Sequence, residues 1–178
     1  MKNQHDFIPA LHYHWLTRWY DPVMRLIFPE TRITDRLIRQ ADIQSGEQVL
    51  DVGCGTGTHT IRVKQAQPEA MIHGVDIDPE VLKLAQRKIE QNCLELFLKQ
   101  GSAIALPYSD HHFDHVISCL LVHHLDNQAK QRMLEEAFRV LKPGGQLHLV
   151  DFGEPQDIPM WVISLLVRWF EEIQGHIQ

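Results

Sequence analysis

The chain has 178 residues, enough for one domain with a substantial core and short for two. Its 44% hydrophobic and 22% charged residues suit a soluble globular protein, and a formal net charge of −6 argues against a broad phosphate-backbone footprint. Cys54, Cys93 and Cys119 lack any C-x-x-C spacing, so free thiols in a reducing compartment are expected rather than a disulfide framework.

In chain order, the opening MKNQHDFIPA has neither an apolar run of signal-peptide length nor a small-residue cleavage site, and a cytoplasmic location is expected. Residues 7–28, FIPALHYHWLTRWYDPVMRLIF, are rich in aromatics and are read as helices over a sheet, within an N-terminal helical cap of residues 1–40. From about residue 41 short apolar runs alternate with longer amphipathic ones, the pattern of a parallel sheet with crossover helices. QVLDV (48–52) is the first strand, and THTIRVKQAQ (58–67) the helix after a glycine-rich turn. MIHGVD (71–76) is the second strand. DPEVLKLAQRKIEQN (78–92) is a helix capped by Asp78, with Pro79 in its first turn and an apolar stripe of Val81, Leu82, Leu84, Ala85 and Ile89.

LELFLKQ (94–100) alternates as a third strand, and FDHVISCLLVHHL (113–125) contains a fourth, apolar throughout as a strand covered on both faces should be. DNQAKQRMLEEAFRVL (126–141) is a helix with Met133, Leu134, Ala137, Phe138 and Leu141 on one side. KPGG breaks it, and QLHLVDFG (146–153) supplies a fifth strand. A further crossover helix is expected from Asp157; its most apolar window, residues 158–170, contains Arg168 and is too short for a membrane span. The fold class is therefore α/β, a Rossmann-like doubly wound, mostly parallel sheet with five strands visible in a domain of residues 41–178.

Twelve histidines include the close pairs His12/His14, His111/His112 and His123/His124. Sequence neighbours rarely converge on one ion and no H-E-x-x-H spacing is present, so no metal site is expected. The stretch VLDVGCGTG carries the chemistry. Ligands of doubly wound sheets bind outside the carboxyl ends of the strands, and glycines there let the backbone approach them closely. A dinucleotide fingerprint, G-x-G-x-x-G, would need its third glycine at Thr58 or Thr60, which disfavours a nicotinamide-dependent oxidoreductase. The pattern present is D-x-G-x-G-x-G.

With VLDVGCGTG, GVDIDPEVL, GSAIALPY, FDHVISCLLVHHL and RVLKPGG in this order, the chain resembles the class I S-adenosylmethionine-dependent methyltransferases. The likeness is to their small-molecule branch, the methyltransferase type 11 group that includes quinone-biosynthesis enzymes. The resemblance implies S-adenosylmethionine as cofactor. Asp51 would lie near its methionine end, with Gly53, Cys54, Gly55 and Gly57 in the loop beneath it. Asp76 would accept from both ribose hydroxyls, a match of two acceptor oxygens to two donors. Ile77 and Leu106 would pack around adenine, with Ser102 and Ala103 at its edge. Ser118 would sit beside the methionine moiety, and Tyr20 would close over the cofactor from the N-terminal helix. Ser102 departs from the family, which usually has an aspartate there; the neutral, shorter hydroxyl is a weaker acceptor for the adenine amino group.

His123, after the fourth strand, is the candidate general base where the acceptor must lose a proton. SCLLVHH lacks the Pro-Pro-aromatic signature of many base-amino methyltransferases, so nucleic acid is not the expected acceptor. The rings of Tyr13, Trp15, Trp19 and Phe28 suit a planar or apolar small molecule. Family members usually add an antiparallel strand pair that completes a seven-stranded sheet, for which no strand pattern remains here. The open sheet edge and the C-terminal helix are accordingly expected to be buried in a homodimer. The alternative reading is a non-catalytic module binding S-adenosylmethionine or S-adenosylhomocysteine, or a truncated methyltransferase fragment.

Overall fold

The computed structural model describes residues 30–151. Helix α1 (Glu30–Ala41) is followed by strand β1 (Gln48–Val52), α2 (Thr58–Ala66), β2 (Met71–Asp76) and α3 (Pro79–Gln91). Then come β3 (Phe97–Gln100), β4 (Phe113–Cys119), a single 3-10 turn (Val122–His124), α4 (Asn127–Val140) and β5 (Leu141–Val150). The strands form one five-stranded sheet in the order β3-β2-β1-β4-β5. Every pairing in it is parallel, giving a Rossmann-like α/β sheet. The winding direction reverses beside β1, which sets the topological switch point between the carboxyl ends of β1 and β4.

Alternation along β1 sends Val49 to one face and Leu50 and Val52 to the other, and both faces are covered. On the first, Leu37, Ile38 and Ala41 of α1 and Val63 of α2 pack with Val49, Ile72 and Ile117. On the second, Met133, Ala137 and Val140 of α4 pack with Leu50, Val52, Phe113 and Val116. Removing side chains such as Met133 and Phe113 from water stabilises the fold by about 2 kcal/mol each. Asp78 caps α3 by accepting from the Glu80 N–H at 2.8 Å, and Pro79 follows in its first turn, as expected. Asp126 caps α4 in the same way through Ala129 N, 2.8 Å.

Three stretches differ from the sequence pattern. Strand β3 begins only at Phe97, paired with His73, because Cys93 turns the chain off α3 with a left-handed φ of 52° and the next residues bring it back to the sheet. KPGG does not precede β5 but lies inside it. Phe113 pairs with Leu141 and His115 with Gln146, so Asp114 alone faces the four residues 142–145 in a wide bulge. The bulge is held by Lys142 Nζ on Asp114 Oδ2, 2.7 Å, and by Gln48 N on the same oxygen, 2.9 Å. Finally, the part of the expected cap at residues 30–40 forms most of α1, whose apolar side shares a core with β1, β2 and β4. Residues 7–28 and the segment from Asp157 lie outside the described residues.

Candidate functional site

The turn from β1 into α2 is built around three glycines with left-handed φ, Gly53, Gly55 and Gly57. At Gly53, with φ 74°, a Cβ would stand 2.9 Å from the Leu121 side chain, which arrives from the end of β4. The Gly53 and Cys54 N–H groups both donate to the Val75 carbonyl, at 2.8 and 3.0 Å, folding the loop over β2. Cys54 fills the space left by Gly74, where a Cβ would sit 3.0 Å from its Sγ. Burial, with Asp51 and Asp76 adding, pushes its thiol well above the ordinary range. The thiol is therefore a neutral packing group beneath the loop.

Gly55 is different. Its φ is 51°, and among the described residues nothing beyond its chain neighbours lies within 4 Å of the position a Cβ would take. Its N–H donates to Asp76 Oδ2 at 2.8 Å, so the loop and the end of β2 are tied directly. Gly57 precedes α2 and packs on Ala85 of α3. From the outside, Lys88 Nζ reaches the Thr56 and Thr58 hydroxyls at 2.8 and 3.3 Å.

The two acids of the site have separate tasks. Asp76 accepts from Gly55 through Oδ2 and from Asp78 N through Oδ1, 3.0 Å. The Ile77 N–H also acts on this carboxylate, and two oxygens with two lone pairs each can still take a further donor beside these backbone groups. Burial raises the Asp76 pKa, and those backbone N–H groups oppose the rise. Asp51 is sealed, 1% exposed, and its Oδ2 accepts from Thr60 Oγ1 at 2.6 Å. Burial pushes its carboxyl up to about 7, the Thr60 hydroxyl pulls against that, and the Asp76 charge adds to it. In this arrangement Asp51 lies beneath the loop with its Oδ2 engaged by Thr60.

Ser118 stands near the end of β4, 1% exposed, and its hydroxyl donates to the Val52 carbonyl at 2.9 Å, pinning β4 to β1. Leu120, with a left-handed φ of 58°, and Leu121, which closes on Gly53, follow it. An L-residue in that conformation is uncommon and clusters at functional turns. Beyond this turn, His123 meets Asp151 at the end of β5. Its Nδ1 lies 2.7 Å from Asp151 Oδ1, and its backbone N–H donates to Oδ2 at 3.1 Å. A carboxylate only accepts, so Nδ1 carries the proton and Nε2 is the basic nitrogen of the neutral ring. The His124 ring lies 3.9 Å away, its pKa lowered by burial and by His123.

Ile77, 37% exposed, follows Asp76 at the carboxyl end of the sheet. Ser102 and Ala103 follow β3, with Ser102 Oγ 3.4 Å from Ile104 N and Leu106 buried beneath. Tyr20 and the other N-terminal aromatics lie outside the described residues. Among the described residues no three His, Cys, Asp or Glu side chains gather as a metal site, and no helix is long and apolar enough to cross a membrane. A separate hollow of about 180 Å³ lies at the opposite end of the strands, bounded by Glu47, Asp114, His115 and Lys142, and holds none of the residues named for the site.

Comparison with known proteins places these residues in a wider setting. A family model described as a methyltransferase domain matches residues 49–145. The 27-O-demethylrifamycin SV methyltransferase of Amycolatopsis mediterranei is 32% identical over 136 residues, covering 75% of this chain and 49% of that protein. The demethylmenaquinone methyltransferase of Listeria welshimeri is 36% identical over 137 residues, covering 75% and 57%. The chain thus spans about half the length of the relatives it matches. Among solved structures, the [4+2]-cyclase SpnF superposes with a TM-score of 0.62 at 29% identity, covering 66% of this chain and 43% of that one.

Proposed function

Because the chain belongs to the methyltransferase domain family, we propose that it binds S-adenosylmethionine and transfers its methyl group to a small-molecule acceptor. The observation that carries this reading is the pairing of Gly55 with Asp76. A side-chain-free bend, with no described neighbour in the place a Gly55 Cβ would take, is bonded to a carboxylate at the end of β2 whose oxygens can take further donors. That is a fit for a nucleoside whose ribose offers two hydroxyl donors.

When bound, S-adenosylmethionine supplies an electrophilic methyl on a sulfonium, and the protein contributes orientation and exclusion of water. Asp76 would hold the ribose, with Ile77, Ser102 and Ala103 about the adenine and Gly53–Gly57 beneath. Asp51, buried next to the loop, would favour a cationic methionine end through its charge. His123, held in one tautomer by Asp151, would take a proton from the acceptor at Nε2. The acceptor we favour is small, planar or apolar, in line with the demethylmenaquinone and 27-O-demethylrifamycin SV in the names of the relatives. The reading includes a cytoplasmic chain, which the free thiols Cys54 and Cys93 support. It also includes self-association along the edge strand β5, where Leu149 is 43% exposed.

Calorimetric titration with S-adenosylhomocysteine, followed by a screen of acceptors with mass measurement of the products, tests the proposal. Asp76→Asn should weaken S-adenosylhomocysteine binding about 30-fold, since the amide can satisfy only one of the two backbone donors while also losing charge toward the ribose. Unchanged affinity would remove the ribose role. Ser102→Asp should act in the opposite direction and tighten binding several-fold, about 1 kcal/mol, by restoring a charged acceptor near the adenine amino group; equal or weaker binding argues against that placement. A second reading, a binding module without methyl transfer, is favoured by Ser102 itself and by the likeness to a protein named for cyclisation. Tight S-adenosylhomocysteine binding with no methylated product across the panel would select it.

A further inference from the structure

The link between β3 and β4 contains no helix, so its backbone needs partners from elsewhere. Residues 106–108 find them in side chains. The Leu106 N–H donates to Glu136 Oε2 at 2.6 Å, and the Leu106 carbonyl accepts from Arg139 Nη2 at 3.0 Å. The Pro107 carbonyl accepts from Lys99 Nζ at 2.8 Å. The Tyr108 carbonyl accepts from Arg139 Nη1 at 2.8 Å, and its N–H closes onto Leu106 O, also 2.8 Å. Three successive carbonyls are thus each taken by a cationic side chain, and proline has no N–H to satisfy.

The fork is held rigid. Arg139 Nε and Nη2 each meet Glu136 at 2.7 Å, and Nη1 also meets Asp110 at 2.8 Å. A planar guanidinium with five donors can serve both carboxylates and both carbonyls at once; a lysine ammonium cannot. Lys99 lies over the Tyr108 ring at 5.2 Å, which adds a cation–π contact to its carbonyl bond. The upper end of the same segment is the Ser102–Ala105 turn, closed by Ala105 N on Ser102 O at 3.1 Å.

We infer that Arg139, Glu136 and Lys99 are positioning residues for the nucleobase end of the cofactor, acting through the shape they impose on residues 102–108. The inference rests on the proposed cofactor reading. None of the three touches the cofactor; they replace the missing helix as the support of the segment that does. Because Glu136 and Arg139 sit near the end of α4 and Asp126 caps its start close to His123, one rigid helix ties the nucleobase segment to the acceptor end of the crevice.

Calorimetry with S-adenosylhomocysteine on wild type, Arg139→Lys and Lys99→Met tests this, with steady-state kinetics on an accepted substrate. Arg139→Lys should weaken binding about 10-fold and Lys99→Met about 3-fold, the loss falling on KM for S-adenosylmethionine rather than on kcat or on KM for the acceptor. Wild-type affinity in a folded Arg139→Lys overturns the inference, as does a fall in kcat with KM unchanged. If Arg139→Lys does not fold, Lys99→Met decides alone, since Lys99 is exposed; unaltered affinity there overturns it. Failure of wild type to bind S-adenosylhomocysteine would instead defeat the cofactor reading beneath it.

Discussion

His123→Ala is expected to lower kcat by about 100-fold or more for any acceptor that must lose a proton, the range for removing a positioned general base. The expectation comes from the tautomer. Asp151 accepts from both Nδ1 and the backbone N–H of His123, so the ring is fixed in rotation and in tautomer at once. Asp151→Asn should cost less, about 10-fold. An amide oxygen can still accept from Nδ1, but its charge is gone, so the imidazolium formed after proton transfer is less stabilised. The useful contrast is an acceptor that is already a nucleophile, such as a thiolate, for which neither substitution should lower kcat to that extent. Full turnover of His123→Ala with every accepted substrate would remove the base.

The second large effect is on stability. Asp51 is sealed beneath the loop, with a folded pKa of about 7 against an ordinary 3.8. The folded state therefore holds its proton over a window in which the unfolded chain has released it. Stability from this group is full below the unfolded pKa and falls as pH rises toward the folded one. Between about pH 5 and about pH 8, Asp51 should lose roughly 3 kcal/mol of stability relative to Asp51→Asn, at about 1.4 kcal/mol per unit up to the folded pKa. Asparagine can still accept from Thr60 but buries an extra donor, so the comparison is the change with pH and not the offset at one pH. Chemical denaturation of both proteins across this range measures it, and parallel pH curves would show that Asp51 is ionised in the fold. A ligand with an ammonium near Asp51 would draw the proton off, so binding enthalpy near neutral pH should vary with the ionisation enthalpy of the buffer.

Much of the fold was legible because its elements announce themselves locally. Asp78-Pro79 opens α3 as its spacing required, and the apolar runs of β1, β2 and β4 are those of strands covered on both sides. What escaped depended on partners distant in the chain. The burial of Asp51 needs Thr60, placed above it only by the turn of α2. The hydroxyl of Ser118 points at Val52, a partner set by the adjacency of β4 and β1. Asp151 drew no notice in the sequence, since an acid after a strand is unremarkable until β5 lies beside β4. Arg139 stood inside a family-like motif, yet its role follows from the helix-free link it supports. KPGG has the composition of a break, and in isolation nothing tells a break from a bulge that keeps its register beyond.

The packing of Cys54 against Gly74 has a practical side. Its sulfur is shielded beneath the loop and Cys119 is buried in the sheet, while Cys93 stands exposed at the far end of α3. Among the described thiols, a maleimide fluorophore therefore has a single landing point, away from the crevice, and can report on ligand-dependent motion without disturbing the bend it observes.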